Sequence, residues 1–192
     1  CILNATGRKA LVRGLGLHAA GVTYSEKGIP VSPNMQTNVK NIWACGDVTG
    51  AYMLAHVASM EGICAVNNMF GQQTGVAYHA VPNVIYTSPE AVSTGRTEKE
   101  LSEAGITFDK KSIPMGVSGK FLIEHEKQNG LVKVLTEKES DRVLGVHMLG
   151  DSSGEMAFAA SLMIEKKITR NSLRNVIFPH PTISEALMQA LK

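Results

Sequence analysis

A glycine and a carboxylate stand together at Gly46-Asp47, between one apolar stretch and a second that begins near Leu54. A carboxylate beyond a strand end, beside a glycine that lets other groups approach the backbone, can accept hydrogen bonds from sugar-like hydroxyls. The first turn of a helix starting at Leu54 would also present N–H groups and partial positive charge to an electron-rich carbonyl. Two plainer interpretations stay open: Asp47 only caps the turn at residues 48–50, or His56 is a buried residue of an apolar helix.

A histidine and a glutamate form the second candidate group, near the carboxy terminus. Pro181 directly follows His180, and Glu185 stands one turn into the last predicted helix. A histidine can take a thiol proton at neutral pH, and an adjacent carboxylate fixes its tautomer and stabilises the imidazolium that forms. This pair is typical of general-base chemistry. The alternative is a capping box, in which Glu185 only bonds back to the amide of Thr182.

The first part of the chain has the pattern of an α/β layer. Residues 1–7 and 41–46 each read as a buried strand that ends in glycine, and residues 54–70 read as a helix covered on nearly every side. A strand, a turn and a buried helix form such a layer. Residues 71–82 are rich in turn formers and have little periodicity, so they are expected to join two domains.

The second part reads as α+β. Antiparallel strands are predicted over residues 84–87, 120–126, 131–137 and 143–149. Asn129-Gly130 suits a tight turn with positive φ between the second and third of these strands. Thr97 and Glu100 match a capping box for a helix that stops at Gly105, and helices are predicted over 155–166 and 182–191. The fold class is therefore α/β plus α+β, with domains at 1–75 and 76–192.

Composition argues against several classes of protein. Lys and Arg number 19 and Asp and Glu 17, in scattered mixed runs, so a nucleic-acid partner is not expected. The longest strongly apolar run, residues 156–164, is far shorter than the roughly 20 residues that span a membrane. Three widely spaced cysteines fit neither a disulfide framework nor a metal site. We expect a soluble, cytoplasmic protein without a bound metal.

Two motifs carry a resemblance to a known family. The segment NIWACGDVTGAYMLAHVASMEG, residues 41–62, resembles the second flavin-contacting segment of the pyridine nucleotide-disulfide oxidoreductases, and HPTISEAL, residues 180–187, resembles their carboxy-terminal signature. ATGR at 5–8 is similar to the strand end upstream of the flavin segment, and residues 84–106 are similar to the start of the interface domain. The resemblance covers nearly the whole chain and is strongest to the dihydrolipoamide dehydrogenase branch; a glutathione-reductase-like enzyme is the alternative.

This resemblance implies cofactors, site residues and partners. FAD would be contacted through its ribityl chain by Asp47 and along the flavin, and NAD near Gly7 and Arg8, with His180 as acid-base catalyst and Glu185 as its partner. The full set of implied cofactor contacts is Gly7, Arg8, Gly46, Asp47, Met53, Leu54, Ala55 and His56. The reaction would be NAD-linked oxidation of dihydrolipoamide in a homodimer, with lipoyl domains of 2-oxoacid dehydrogenase complexes as further partners.

The sequence lacks two parts that this reaction needs. It has no Cys-x4-Cys pair to exchange with a dithiol and no G-x-G-x-x-G loop for a dinucleotide pyrophosphate. We therefore predict a carboxy-terminal portion of the enzyme, inactive alone, in which residues 1–75 are the returning half of the FAD domain. Cys45 and Cys64 are predicted to be structural. A hypothesis from another class is a self-associating module, dimerising from about residue 84 onward, that binds no cofactor.

Overall fold

The computed structural model describes residues 1–126 and 128–192. These residues divide into two compact units, Cys1–Val76 (unit 1) and Ala77–Lys192 (unit 2). Among the described peptide bonds, Ser88–Pro89 and His180–Pro181 are cis. No helix in the described part of the chain is long and apolar enough to cross a membrane. The same residues contain no group of three or more His, Cys, Asp or Glu side chains arranged to hold a metal ion.

Unit 1 contains one long helix, α1 (Ala55–Met69), and a 3-10 turn over Gly46–Thr49. Its loops are held by backbone hydrogen bonds and isolated bridges such as Gln36 with Trp43. A small core holds it together, formed by the buried residues Val12, Val22, Ile29 and Ala44. The helix forms where the sequence predicts it, because this long apolar stretch contains no proline and Glu61 is its only acidic or basic residue apart from His56.

Both strands predicted in unit 1 are wrong. Residues 1–9 are exposed and belong to no ladder, and Trp43 makes only an isolated bridge. A strand exists only when a neighbour pairs with its backbone, and the described residues place none beside residues 1–7. The expectation of a helix covered on nearly every side is wrong as well. On α1 the buried positions are Val57, Glu61, Cys64 and Ala65, whereas its exposed large apolar residues are Met60, Ile63, Val66 and Met69.

Unit 2 is built on a five-stranded antiparallel sheet with strand order β1-β2-β5-β4-β3. Its strands are β1 (Pro82–Ile85), β2 (Ala91–Gly95), β3 (Phe108–Pro114), β4 (Leu131–Glu137) and β5 (Val143–Leu149). The predicted strands over 131–137 and 143–149 are confirmed residue for residue. Alternate side chains of these two strands are buried in one core on the helix side of the sheet, which explains why their apolar pattern was readable.

The strand predicted over 120–126 is wrong, since helix α3 (Gly119–Glu124) occupies most of it. The Ser118 hydroxyl accepts a hydrogen bond from the Phe121 N–H at 3.2 Å and so caps this helix. Strand β4 pairs instead with β3, which the sequence analysis missed. The Asn129-Gly130 prediction fails with it, because neither residue is among the positive-φ residues of the described chain.

The helices α2 (Glu98–Glu103), α4 (Ser153–Glu165), α5 (Arg170–Leu173) and α6 (Glu185–Leu191) complete unit 2. The capping box before α2 is confirmed: the Thr97 hydroxyl accepts from the Glu100 N–H at 3.3 Å, and the Thr97 N–H donates to the Glu100 carboxylate at 2.8 Å. Helix α6 begins three residues later than predicted, which leaves residues 180–184 as a loop. Helices α4 and α6 bury small and apolar side chains against the sheet.

Candidate functional site

The first candidate group surrounds the 3-10 turn of unit 1. Gly46 adopts φ +77°, and a Cβ at this position would lie 3.2 Å from the Ala58 Cβ, so glycine suits both the backbone and the space. The Gly46 N–H donates to the Glu61 carboxylate at 2.6 Å. Glu61 is 1% exposed, so this bond fixes the turn against the interior side of α1.

Asp47 contacts Arg8 at this turn. Its carboxylate pairs with the Arg8 guanidinium, which also donates to the Met53 carbonyl oxygen at 3.4 Å. The turn itself closes through the backbone, since the Gly50 N–H donates to the Asp47 carbonyl oxygen at 3.1 Å. The structure thus brings together three of the residues that the sequence singles out. The Arg8 and Asp47 side chains are 65% and 38% exposed, so both can be reached from solvent.

The remaining predicted contacts of unit 1 lie along the chain on either side. Gly7 has φ +98° and an exposed backbone. Leu54 is the residue before α1, and His56 is an exposed residue of its first turn. The interpretation of His56 as a buried core residue is therefore wrong, because its position on the helix faces away from the buried side.

Glu61 is a site residue that the sequence analysis missed. Its signal was available, because it is the one carboxylate in the otherwise uncharged stretch over residues 54–70. A buried carboxylate requires hydrogen-bond donors, and here a backbone N–H supplies one. Which donor it meets could not be read from spacing alone, since Gly46 lies outside the helix.

The second candidate group lies at the start of α6 in unit 2. His180 Nδ1 lies 2.9 Å from Glu185 Oε1, and the two side chains are 79% and 20% exposed. The ring therefore stands at the surface of its unit while its partner is anchored in the protein. An ionised carboxylate only accepts hydrogen bonds, so Nδ1 carries the proton and Nε2 is left as the basic nitrogen of the neutral ring.

Glu185 makes both of the contacts that the sequence offered as alternatives. While Oε1 meets His180, Oε2 accepts the Thr182 N–H at 3.1 Å. The hydrogen bond from His180, followed by the bond from Thr182, holds the pKa of Glu185 below its ordinary value. The Thr182 hydroxyl does not complete a capping box and instead donates to the Pro179 carbonyl oxygen at 2.9 Å.

The largest pKa change in unit 2 lies away from both groups, at Glu98. Hydrogen bonds from Lys133 at 2.7 Å and Lys110 at 2.9 Å lower the pKa of Glu98 from 4.5 to about 2. This cluster joins α2 to strands β3 and β4 on the sheet face opposite α4 and α6. Its members are an ordinary ion-pair network, so we assign it to stability.

Comparison with known proteins places these residues in context. The family model described as "Pyridine nucleotide-disulphide oxidoreductase, dimerisation domain" matches residues 81–191. A second family model, "Pyridine nucleotide-disulphide oxidoreductase", matches residues 1–62. The mitochondrial dihydrolipoyl dehydrogenase of Mus musculus is 40% identical over 190 residues, which cover 98% of this chain and 37% of the mouse protein. The Homo sapiens enzyme is 38% identical over the same extent. The chain therefore spans little more than a third of these relatives.

Solved structures show the same fold. LpdA from Mycobacterium tuberculosis superposes with a TM-score of 0.87 at 23% identity, over 93% of this chain and 39% of that one. The HOCl-induced flavoprotein disulfide reductase RclA from Escherichia coli gives a TM-score of 0.87 at 23% identity, over 97% of this chain and 43% of that one. The fold class and the resemblance predicted from the sequence are confirmed. The chain belongs to the pyridine nucleotide-disulphide oxidoreductase family and carries its dimerisation domain at residues 81–191.

Proposed function

We propose that this chain is the carboxy-terminal portion of a flavin-dependent dihydrolipoyl dehydrogenase, in which His180 exchanges protons with a dithiol and Glu185 holds its ring. The observation that carries the proposal is the 2.9 Å contact between His180 and Glu185, with the imidazole 79% exposed. An exposed base with an anchored carboxylate suits a substrate that arrives from outside the unit. The identity to dihydrolipoyl dehydrogenases, 40% and 38%, supports this substrate class.

The ring geometry supports one proton path. Because Nδ1 faces Glu185, a substrate thiol gives its proton to Nε2 of His180, and the carboxylate stabilises the imidazolium that results. The thiolate is then competent to attack a disulfide sulfur. Glu185 stays ionised through this step, since its pKa is held below the ordinary value. In the reverse direction the same nitrogen returns the proton.

Unit 1 has features that fit FAD. The Asp47 carboxylate is 38% exposed and pairs with Arg8, which leaves it capacity to accept further hydrogen bonds, and in our proposal ribityl hydroxyls donate them. Residues 53–56 lead into the amino-terminal end of α1, where partial positive charge favours an electron-rich ring edge. Gly7 and Arg8 would face NAD. When bound, FAD supplies two-electron transfer between the thiols and NAD.

The dimerisation domain supports assembly as a homodimer. In our proposal unit 2 pairs two copies, and His180 serves a disulfide and flavin held by the other copy. Lipoyl domains of 2-oxoacid dehydrogenase complexes are the proposed carriers of the dithiol. The mouse and human relatives are named as mitochondrial, whereas the sequence predicts a cytoplasmic protein, and cell fractionation distinguishes the two.

The test is a His180→Gln substitution in the full-length enzyme that contains this chain. We expect turnover of dihydrolipoamide to fall by about a hundredfold to ten-thousandfold, the usual contribution of an acid-base group. FAD content, read from flavin absorbance, should be unchanged. His79→Gln is the matched control, because His79 is an exposed histidine of the same unit paired with Glu165 at 3.2 Å.

Normal turnover in His180→Gln would falsify the proposal. The substrate is checked in parallel with lipoamide and with glutathione disulfide, and preference for the second would move the enzyme to another branch of the family. The 192-residue chain alone is predicted to show no dehydrogenase activity. Adding FAD to it and recording a retained flavin spectrum distinguishes a cofactor-binding portion from a simple dimerisation module.

A further inference from the structure

A fully buried serine at the start of α3 contacts the loop that carries the candidate base. Ser118 is 0% exposed, and its hydroxyl donates to the Thr182 carbonyl oxygen at 2.9 Å. The Ser118 hydroxyl oxygen itself accepts the Phe121 N–H at 3.2 Å, which caps α3. Both the donor and the acceptor capacity of this hydroxyl are therefore used, and they join two segments that lie 64 residues apart in the sequence.

The bond continues into the candidate site through one residue. The Thr182 N–H donates to Glu185 Oε2 at 3.1 Å, and Glu185 Oε1 meets His180 Nδ1 at 2.9 Å. The Thr182 carbonyl oxygen thus accepts a hydrogen bond from the Ser118 hydroxyl, and the Thr182 N–H donates one to the Glu185 carboxylate. The chain of contacts runs from Ser118 through Thr182 and Glu185 to His180.

The other hydrogen bonds of Thr182 with described residues are local. The Thr182 hydroxyl bonds to the Pro179 carbonyl oxygen and to the Ser184 hydroxyl, both within a few residues. Local bonds preserve the shape of a loop but do not fix its direction relative to the core. Apolar packing of Ile183 and Leu187, 7% and 2% exposed, keeps α6 on the sheet. A directional bond to Ser118 restricts the rotation that such packing permits.

We propose that Ser118 is a positioning residue for the acid-base pair: its hydroxyl fixes Thr182, and Thr182 fixes the Glu185 carboxylate that orients the His180 ring. This inference rests on the proposed function of His180. It assigns Ser118 no contact with the substrate. The expected consequence is that loss of the hydroxyl lowers the rate of the proton-transfer step and leaves substrate binding unchanged, because only orientation at the reacting nitrogen is affected.

The experiment compares two hydroxyl-free variants with one that keeps the hydroxyl, in the full-length enzyme. Ser118→Ala and Ser118→Gly both remove the donor, and glycine preserves the α3 cap to within a few tenths of a kcal/mol. Ser118→Thr retains the hydroxyl. Ser161→Ala is the matched control, because the Ser161 hydroxyl donates to the Ala80 carbonyl oxygen at 2.7 Å elsewhere in unit 2.

We expect kcat to fall about tenfold in Ser118→Ala and Ser118→Gly with KM unchanged, to return in Ser118→Thr, and to stay normal in Ser161→Ala. In the full-length enzyme, NMR titration with selectively labelled glutamate should show the pKa of Glu185 rising toward its ordinary value in the first two variants. Unchanged kcat and Glu185 pKa in both hydroxyl-free variants, or an equal loss in Ser161→Ala, would overturn the inference.

The two proposals fail in different ways. If His180→Gln keeps normal turnover, the proposed function falls, whatever the Ser118 variants do. If His180→Gln is inactive but the Ser118→Gly enzyme matches the wild type in kcat and in the Glu185 titration, the function stands and the positioning role falls.

Discussion

The two compact units contain comparable apolar stretches but bury them to different extents. Unit 1 has a small core and leaves apolar side chains of α1 exposed, with the adjoining Phe70 82% exposed. Unit 2 buries residues of β2, β4, β5, α3, α4 and α6, and Phe121, Leu135 and Val146 are all 0% exposed. An apolar pattern therefore shows which side chains could be buried. Whether they are buried depends on which other parts of the chain pack against them, and the pattern does not identify those parts.

The candidate groups differ in the same way. In unit 2, Glu185 is anchored at the start of a helix whose other face is buried, so the partner of the exposed His180 is held firmly. In unit 1, Arg8 belongs to an exposed segment and reaches Asp47 from outside any strand or helix. The His180–Glu185 pair is thus held by its own unit, whereas the Arg8–Asp47 pair depends on a loop.

Truncating one phenylalanine in each unit tests the difference in burial most strongly. Phe121→Ala should reduce the free energy of unfolding by about 3–5 kcal/mol, because it removes a fully buried ring and leaves a cavity. Phe70→Ala should change it by less than about 0.5 kcal/mol, since that ring is 82% exposed. Urea unfolding followed by circular dichroism measures both. Equal losses would show that unit 1 is as well packed as unit 2.

A substitution at the buried carboxylate of Glu61 tests whether α1 holds the turn at Gly46–Thr49 in a fixed position. Glu61→Ala leaves the Gly46 N–H without its acceptor, so the free energy of unfolding should fall by about 1–3 kcal/mol. Glu26→Ala is the control, because the Glu26 side chain is 80% exposed and lies 3.7 Å from Arg13. Thermal unfolding of the 192-residue chain measures the two. If Glu61→Ala loses no more free energy of unfolding than Glu26→Ala, the Glu61 carboxylate does not hold the turn in place.

The same threonine substitution in the two units should give different results. Thr97→Ala removes the capping-box hydroxyl of α2, and the free energy of unfolding should fall by about 1 kcal/mol. Thr23→Ala in unit 1 changes an exposed residue that caps no helix, and its effect should stay within about 0.5 kcal/mol. The measurement is the midpoint of urea unfolding, compared between variants whose curves have the same dependence of unfolding free energy on urea concentration. Similar shifts for both would argue that the cap contributes nothing beyond propensity.

The smallest effect is pH-dependent and concerns Glu98. Its pKa is lowered from 4.5 to about 2 by the two lysines, so its stabilisation is present above pH 4.5 and disappears as pH falls toward 2. Glu98→Gln should therefore be less stable than wild type by about 0.2–1 kcal/mol at pH 7, a range set by solvent screening. The difference should shrink as pH falls from 4.5 to about 2 and vanish below that.

Glu103→Gln is the control for this titration, since the Glu103 side chain is 65% exposed and lies 3.8 Å from Lys99. Melting temperatures recorded between pH 2 and pH 7 give the comparison. A constant difference between Glu98→Gln and wild type across that range would contradict the ion-pair origin of the stabilisation.

Local signals allowed part of the fold to be predicted. The capping box at Thr97, strands β4 and β5 and helix α4 all follow from short-range patterns that tertiary contacts then reinforce. Strand β3 was missed because its sequence, FDKKSIP, is largely polar and half exposed, so it shows little alternation. Helix α3 was misread because six apolar and charged residues have no clear period, and the Ser118 cap decided the outcome.

The site shows the same division. Residue types and a spacing of five residues made a contact between His180 and Glu185 possible, and the loop over residues 180–184 brings the two side chains together. The double use of the Glu185 carboxylate was not readable, because the sequence offered the two roles as alternatives. Glu61 and Ser118 escaped notice because their partners, Gly46 and Thr182, lie 15 and 64 residues away.

The sequence alone determined which residues can accept or donate protons, which stretches are apolar, and which family motifs are present. These properties depend on side-chain chemistry and on neighbours within about one helical turn. The tertiary structure decided which apolar stretches become strands, which faces of α1 are covered, and which distant hydroxyl meets the Thr182 carbonyl. Backbone pairing and burial need a partner from elsewhere in the chain, and no local pattern specifies where that partner lies.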